Sequence, residues 1–119
     1  MNRVLLGRWG EERALQHLLG LGWSLICQNY RTPRGEIDLI LRESNWIVFV
    51  EVRTRSSERF GRGEETVDYR KRRRLMATAG HFLGTYQGPP GDPRFDLISI
   101  LRLDSGEEQL QHIRGMFTP

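Results

Sequence analysis

Two apolar runs set close together constrain this chain more than any other feature. Glu36 to Arg42 and Trp46 to Thr54 flank a short Glu43-Ser44-Asn45 segment, and the second run holds Ile47, Val48, Phe49, Val50 and Val52. β-Branched and aromatic residues at that density favour strands, and a two-residue turn at Ser44-Asn45 joins the two runs as a hairpin. That turn fixes a register with Asp38 opposite Glu51 and Glu36 opposite Arg53. Side chains alternate along a strand. Glu36, Asp38 and Ile40 therefore share one face, with Ile37, Leu39 and Leu41 on the other. In the second strand Ile47, Phe49, Glu51 and Arg53 share a face, opposite Trp46, Val48, Val50 and Val52.

The register predicts a conflict of charge. Directly opposed Cβ atoms lie about 4.5 to 5.5 Å apart, so two carboxylates there repel and raise one pKa unless a cation sits between them. A divalent ion removes that conflict, and Mg²⁺ commonly takes one or two carboxylates with waters and substrate phosphate, which suits Asp38 and Glu51. The plainer alternative is an edge-strand charge pattern or a Glu36 to Arg53 ion pair, contributing only fractions of a kcal/mol. Against it, Glu51 interrupts a strand that is otherwise burying residues, and a cation follows two positions later.

The rest of the chain supplies a frame. Val4 to Leu19 predicts a helix, with Ala14, Leu15, Leu18 and Leu19 at helical spacing and Gly20 behind them. Glu11 lies three, four and seven residues before Ala14, Leu15 and Leu18, which puts it on the apolar face, where an isolated carboxylate is costly and needs a partner. Ser24 to Tyr30 predicts a first strand, closed by the turn-like Arg31-Thr32-Pro33-Arg34-Gly35. After Arg55 a polar stretch with Gly61 and Gly63 reads as a loop, and a second helix runs from about Val67 to Tyr86, burying Leu75, Ala79, Phe82, Leu83 and Tyr86. Arg94 to Leu103 forms a strand, and Gln109 to Ile113 a weak last one. The fold class is α/β, with a mixed central sheet flanked by helices in one domain over residues 1–119.

Charge is unevenly placed. The whole chain carries 18 − 15 = +3, but Arg53 to Arg74 holds nine basic residues against four acids, a local +5 that leaves 9 − 11 = −2 elsewhere. This basic segment begins where the Glu51 strand ends, so Arg55, Arg59, Arg62, Arg70 and Lys71 are candidates for contact with a phosphate backbone. Arg72 and Arg73 fit a solvated helix face as well as they fit DNA contact. Tyr30 and Arg31 follow the first strand and could approach a substrate. His17, His81 and His112 show no metal-ligand spacing. Trp9, Trp23 and Trp46 read as core or interface residues. The single Cys27 reads as a buried small hydrophobe, and a reducing cytoplasm is the expected compartment. No apolar run approaches a membrane span.

Several segments together resemble the bacterial YraN family, also called UPF0102. They are Gly7-Arg8-Trp9-Gly10-Glu11-Glu12-Arg13-Ala14, Gln28-Asn29-Tyr30-Arg31, Gly35-Glu36-Ile37-Asp38-Leu39-Ile40, Phe49-Val50-Glu51-Val52-Arg53-Thr54-Arg55 and Arg94-Phe95-Asp96. The resemblance covers nearly the whole chain. That family is similar to the restriction-endonuclease-like superfamily, including archaeal Holliday junction resolvases, which implies an αβββαβ core with a PD-(D/E)xK site. By this resemblance Asp38 matches the motif's Asp, Glu51 its (D/E), and Glu11 a helix acid that assists metal binding. Lys71 matches a lysine usual near the start of the second helix. The resemblance implies a metal-dependent endonuclease using Mg²⁺ or Mn²⁺ on DNA, branched or otherwise structured, and a homodimer. Arg53 stands where the motif has Lys. A guanidinium holds a phosphate bidentately but stays protonated and cannot act as a base, so a catalytically inactive nucleic-acid-binding module is the alternative reading.

Overall fold

The computed structural model describes residues 2–56 and 67–119. Its elements follow in the order α1 (Arg3–Gly20), β1 (Ser24–Thr32), β2 (Gly35–Glu43), β3 (Trp46–Ser56), α2 (Tyr69–Thr85), β4 (Asp92–Arg102) and β5 (Glu108–Phe117). This is the expected α, β, β, β, α, β order with the last strand present. The strands form one sheet in the order β1-β2-β3-β4-β5. The pairs β1 with β2, β2 with β3, and β4 with β5 are antiparallel, while β3 and β4, joined through α2, are parallel. The expected α/β class with a mixed sheet flanked by helices therefore holds.

Each helix start is set by a side chain. Asn2 accepts a hydrogen bond from the Leu5 amide at 2.9 Å, and Asp68 accepts one from the Lys71 amide at 2.9 Å, each capping an N–H group that the first turn leaves unpaired. The Asp68 cap starts α2 two residues later than the apolar pattern suggested, and Val67 is buried just ahead of the helix rather than within it.

The two helices cover opposite faces. Ala14, Leu15 and Leu18 of α1 pack with Leu39, Leu41, Val48, Val50, Ile98 and Ile100, whereas Leu75, Ala79 and Phe82 of α2 pack with Ile40, Ile47, Phe49 and Phe95. Both helices approach the sheet closely where they meet glycine. A Cβ at Gly10 of α1 would collide with the Thr54 side chain, and one at Gly35 would stand 3.1 Å from Thr78 Oγ1 on α2.

The expected alternation fails at one place. Ile37 lies in the α2 cluster with Ile40, although Leu39 and Leu41 lie in the α1 cluster, so Ile37 does not share their face. The departure falls at Asp38. The β2–β3 register follows the two-residue turn from Glu43↔Trp46 to Leu39↔Val50, but the backbone pairing stops before Asp38 and Glu51 meet. Instead, Asp38 Oδ2 accepts the Val52 amide at 2.8 Å. A side chain thus occupies the position of a ladder rung, and the strands part around it.

A second buried acid braces the far side of the sheet. Asp96 is fully buried. It accepts from Arg94 Nε and Nη2, each at 2.9 Å, from the Gly115 amide at 3.0 Å, and pairs with His112 Nε2 at 2.9 Å. Burial alone would raise its pKa, but the hydrogen bonds from His112, Arg94 and Gly115 outweigh it and hold the carboxyl below 3.8. Arg94 also stacks over Trp23 and Trp46 and pairs with Glu43 at 2.8 Å. Two of the three tryptophans thus belong to the scaffold, as does Trp9, which packs against the α1 cluster.

Candidate active site

The parting of β2 and β3 opens a cleft of about 140 Å³ lined by Gly35, Glu36, Asp38, Glu51, Lys71, Arg74 and Leu75. β2 contributes Asp38, β3 contributes Glu51, and α2 lies over both. Asp38 is half-buried and Glu51 buried. The expected meeting of Asp38 and Glu51 is therefore present, made by side chains converging past the end of the ladder rather than by a directly opposed pair.

The charge conflict takes the form the register implied. Burial, with the like charge of Glu51 and more weakly of Glu11 and Glu36, pushes the Asp38 carboxyl up to about 8, against the opposing pull of the Val52 amide. The neutral form of Asp38 is thus favoured well above the ordinary carboxylate range. Glu51 is neutralised differently, because Lys71 Nζ lies 2.9 Å from Glu51 Oε2 and Arg53 Nε lies 4.0 Å from the same oxygen. Lys71, expected among the phosphate-contacting cations, is thus a component of the acidic cleft itself. Residue spacing carried no such signal, although the family resemblance matches Lys71 to a lysine near the start of the second helix; the crossover that lays α2 on the sheet brings it to Glu51.

Glu11 finds the partner its place on the apolar face requires. Asn29 Nδ2 donates to Glu11 Oε1 at 3.1 Å and to Glu36 Oε2 at 3.4 Å, so one amide links the acid of α1 to an acid of the cleft. Asn29 adopts φ 49°, a left-handed conformation that asparagine tolerates better than most residues. Glu11 itself lines a neighbouring cleft with Arg3, Leu6, Gly7, Val52 and Thr54. Glu36 also pairs with Arg31 at 3.4 Å. Sequence reasoning set Glu36 opposite Arg53 as a cross-strand ion pair, whereas its partners are Arg31 and Asn29, and it gave Asn29 no role of its own.

The candidate cations separate by location. Arg70 and Arg73 line a second cleft on α2, and Arg74 is shared between that cleft and the acidic one. Arg55 lies on β3 beyond Arg53 and does not line the acidic cleft. Arg59 and Arg62, like Gly61 and Gly63, lie outside the described residues. Arg72 belongs to the scaffold, donating to the Val67 carbonyl at 3.0 Å and stacking over Phe117. Tyr30 packs edge-on against Phe82, with its hydroxyl 2.6 Å from His81 Nδ1. Cys27 is half-buried against the α2 cluster.

The donor set suits a hard cation. Asp38 and Glu51 offer carboxylate oxygens, and the second oxygen of Asp38 accepts no hydrogen bond from the described residues. Among those residues no cluster of three or more acidic, histidine or cysteine side chains is gathered at metal-ligand geometry. The arrangement fits an ion held by two carboxylates whose remaining positions are filled by water and phosphate oxygens, the usual manner of Mg²⁺. Among the described residues no helix is long and apolar enough to cross a membrane.

A mixed α/β sheet with an acid pair set in a break of its ladder defines the class of domain. The particular family follows from comparison with known proteins. A family model described as "Uncharacterised protein family UPF0102" matches residues 10–100. The chain is 44% identical to a UPF0102 protein of Desulfitobacterium hafniense strain Y51, over 97% of this chain and 98% of that one. It is 40% identical to a UPF0102 protein of Frankia alni, over 94% and 93%. It is also 42% identical to a UPF0102 protein of Legionella pneumophila, over 79% and 80%. The chain belongs to the UPF0102 family.

Proposed function

We propose that this protein is a metal-dependent endonuclease that hydrolyses phosphodiester bonds in DNA, with Asp38 and Glu51 as the acids that hold Mg²⁺ or Mn²⁺. The observation that carries the reading is one cleft in which these two carboxylates face Lys71 and Arg74, with Glu36 and the Asn29-linked Glu11 beside them. A divalent cation there supplies Lewis acidity and neutralises the charge that accumulates on a phosphodiester under attack.

The chain's own residues account for the remaining tasks. Asp38 would hold a cation as its carboxylate, so its raised pKa would couple occupancy to pH. Arg53 stays protonated and orients a non-bridging phosphate oxygen. Lys71, on Glu51 at 2.9 Å, supplies the ammonium that the Arg53 position does not. Glu11 and Glu36, tied through Asn29, fix the rim next to Asp38 and add negative charge that favours a cation.

Cleavage of linear, flapped and four-way DNA in Mg²⁺ or Mn²⁺ is the test, with Asp38→Asn as the control that keeps the Val52 hydrogen bond. Metal-dependent cleavage abolished by the substitution is expected, and its absence overturns the reading. The presence of Arg53 at the motif-lysine position favours one second reading, a nucleic-acid-binding module without catalysis. Salt-sensitive DNA binding, indifferent to chelator and without cleavage, would establish that instead.

A further inference from the structure

The second cleft on α2 is larger than the acidic one and shares Arg74 with it. It measures about 480 Å³ and is lined by Arg34, Tyr69, Arg70, Arg73, Arg74 and Ala77. The α2 residues fall one and four apart along the chain, so they form one face of the helix, and Arg34 closes the groove from the turn before β2. Arg74 lines both clefts, and Arg34 directly precedes Gly35 of the acidic cleft. The two hollows therefore adjoin at Arg74.

Its chemistry is one-sided. Four guanidinium groups converge there, and among the described residues none has a carboxylate within ion-pair distance, in contrast to Arg13, Arg31, Arg53, Arg94 and Arg114, which all do. Beside them Tyr69 is 72% exposed, the most exposed aromatic side chain among the described residues. Its ring lies 5.7 Å from the Arg73 guanidinium, which helps fix the ring's orientation. Unneutralised arginines next to an exposed aromatic ring are the two elements of a site for single-stranded nucleic acid, a charged track for the backbone and a platform for a base. A duplex cannot use such a platform, because its base faces are stacked inside the helix.

We infer that the Arg34–Tyr69–Arg70–Arg73 groove binds an unpaired strand, stacking one base on Tyr69 and leading the adjoining backbone past Arg74 to the Asp38–Glu51 cleft. This deepens the nuclease reading and rests on it for the strand's destination. It makes the substrate a DNA with a single-stranded arm, such as a flap, overhang or splayed junction, rather than a continuous duplex.

Fluorescence anisotropy on the full chain in EDTA tests the groove separately from catalysis. The probes are a labelled twelve-residue oligo-dT, the same strand annealed to its complement, and an abasic strand of equal length. The dT strand is expected to bind at least tenfold more tightly than the duplex. Tyr69→Ala should weaken dT binding about five- to a hundredfold, the range of one base stack, and leave the abasic strand unchanged, while Tyr69→Phe restores it. Arg70→Ala and Arg73→Ala should weaken both strands and lower the salt slope by about 0.7 each. Equal affinity for duplex and single strand, or a Tyr69→Ala variant that binds dT normally, overturns the proposal. So does competition by poly-glutamate as effective as that by unlabelled dT. If these binding results hold but no cleavage occurs with metal, the nuclease reading fails and the groove stands.

Discussion

Asparagine at position 38 removes the titratable group and keeps the oxygen that accepts the Val52 amide. The Asp38 carboxyl titrates at about 8 in the folded protein against an ordinary 3.8. Between those values the folded chain holds a proton that the unfolded chain has released. A raised folded pKa gives stability that is fully present below the unfolded value and is lost as pH rises through the folded one. The interval is about four pH units, and at 1.36 kcal/mol per unit its ceiling is on the order of 5 kcal/mol. Water reaches the cleft and its side chains can rearrange, so about 2 to 3 kcal/mol is the expected size. Asp38→Asn should therefore match the wild type near pH 4, gain on it steadily from pH 5 to 8, and exceed it by a constant margin above. Urea denaturation followed by tryptophan fluorescence in EDTA, at four pH values from 4.5 to 9, measures this directly. A difference that does not change with pH, or a variant that loses ground as pH rises, would refute the account of Asp38 as a carboxyl neutralised by burial and by Glu51.

Other perturbations probe different parts of the structure. Among the described residues Lys71→Met leaves Glu51 with the more distant Arg53, and should cost about 1 to 2 kcal/mol in urea denaturation as well as abolish any metal-dependent cleavage; a variant with wild-type cleavage would remove Lys71 from the site. Gly10→Ala forces a methyl into Thr54 and should destabilise by about 1 to 3 kcal/mol, with Thr54→Ala recovering part of the loss; unchanged urea midpoints would show that α1 shifts freely. Asp96→Asn breaks a buried network and should cost about 3 to 5 kcal/mol. Because the folded pKa of Asp96 is depressed, its contribution is present above 3.8 and lost as pH falls through the lower folded value, so the wild-type advantage over Asp96→Asn should shrink in acid titration and a constant gap would refute it.

Much of this architecture was legible because apolar alternation and helical spacing are properties of neighbouring residues. The β2–β3 hairpin and its register followed from the two apolar runs and the Ser44-Asn45 turn between them, and most of the buried helix faces from leucine, alanine and phenylalanine spacing, although Leu19, grouped with Ala14, Leu15 and Leu18, is exposed. What escaped depended on distant segments meeting. Ile37 sits on the unexpected face because Asp38 replaces a backbone rung, an event that alternation cannot encode. β5 runs from Glu108 to Phe117, beyond the Gln109 to Ile113 span expected, because the exposed Arg114 and Gly115 interrupt the hydrophobic signal before Met116 and Phe117, and the strand's place is secured by β4 and Asp96. Asn29 and Lys71 join the acids only through the sheet and the crossover helix. The Asp68 cap, by contrast, was visible as an acid ahead of a helical run, and reading it would have set the start of α2 correctly.

The two oxygens of Asp38 have separate employers. One closes a gap in the sheet's hydrogen bonding, and the other is left to the cleft. The acid is therefore masonry as well as, on the proposed reading, reagent, and its two duties come apart by exchanging a single atom, oxygen for nitrogen. That exchange keeps the rung, but truncating the same side chain to alanine would strip the sheet of it along with the carboxyl.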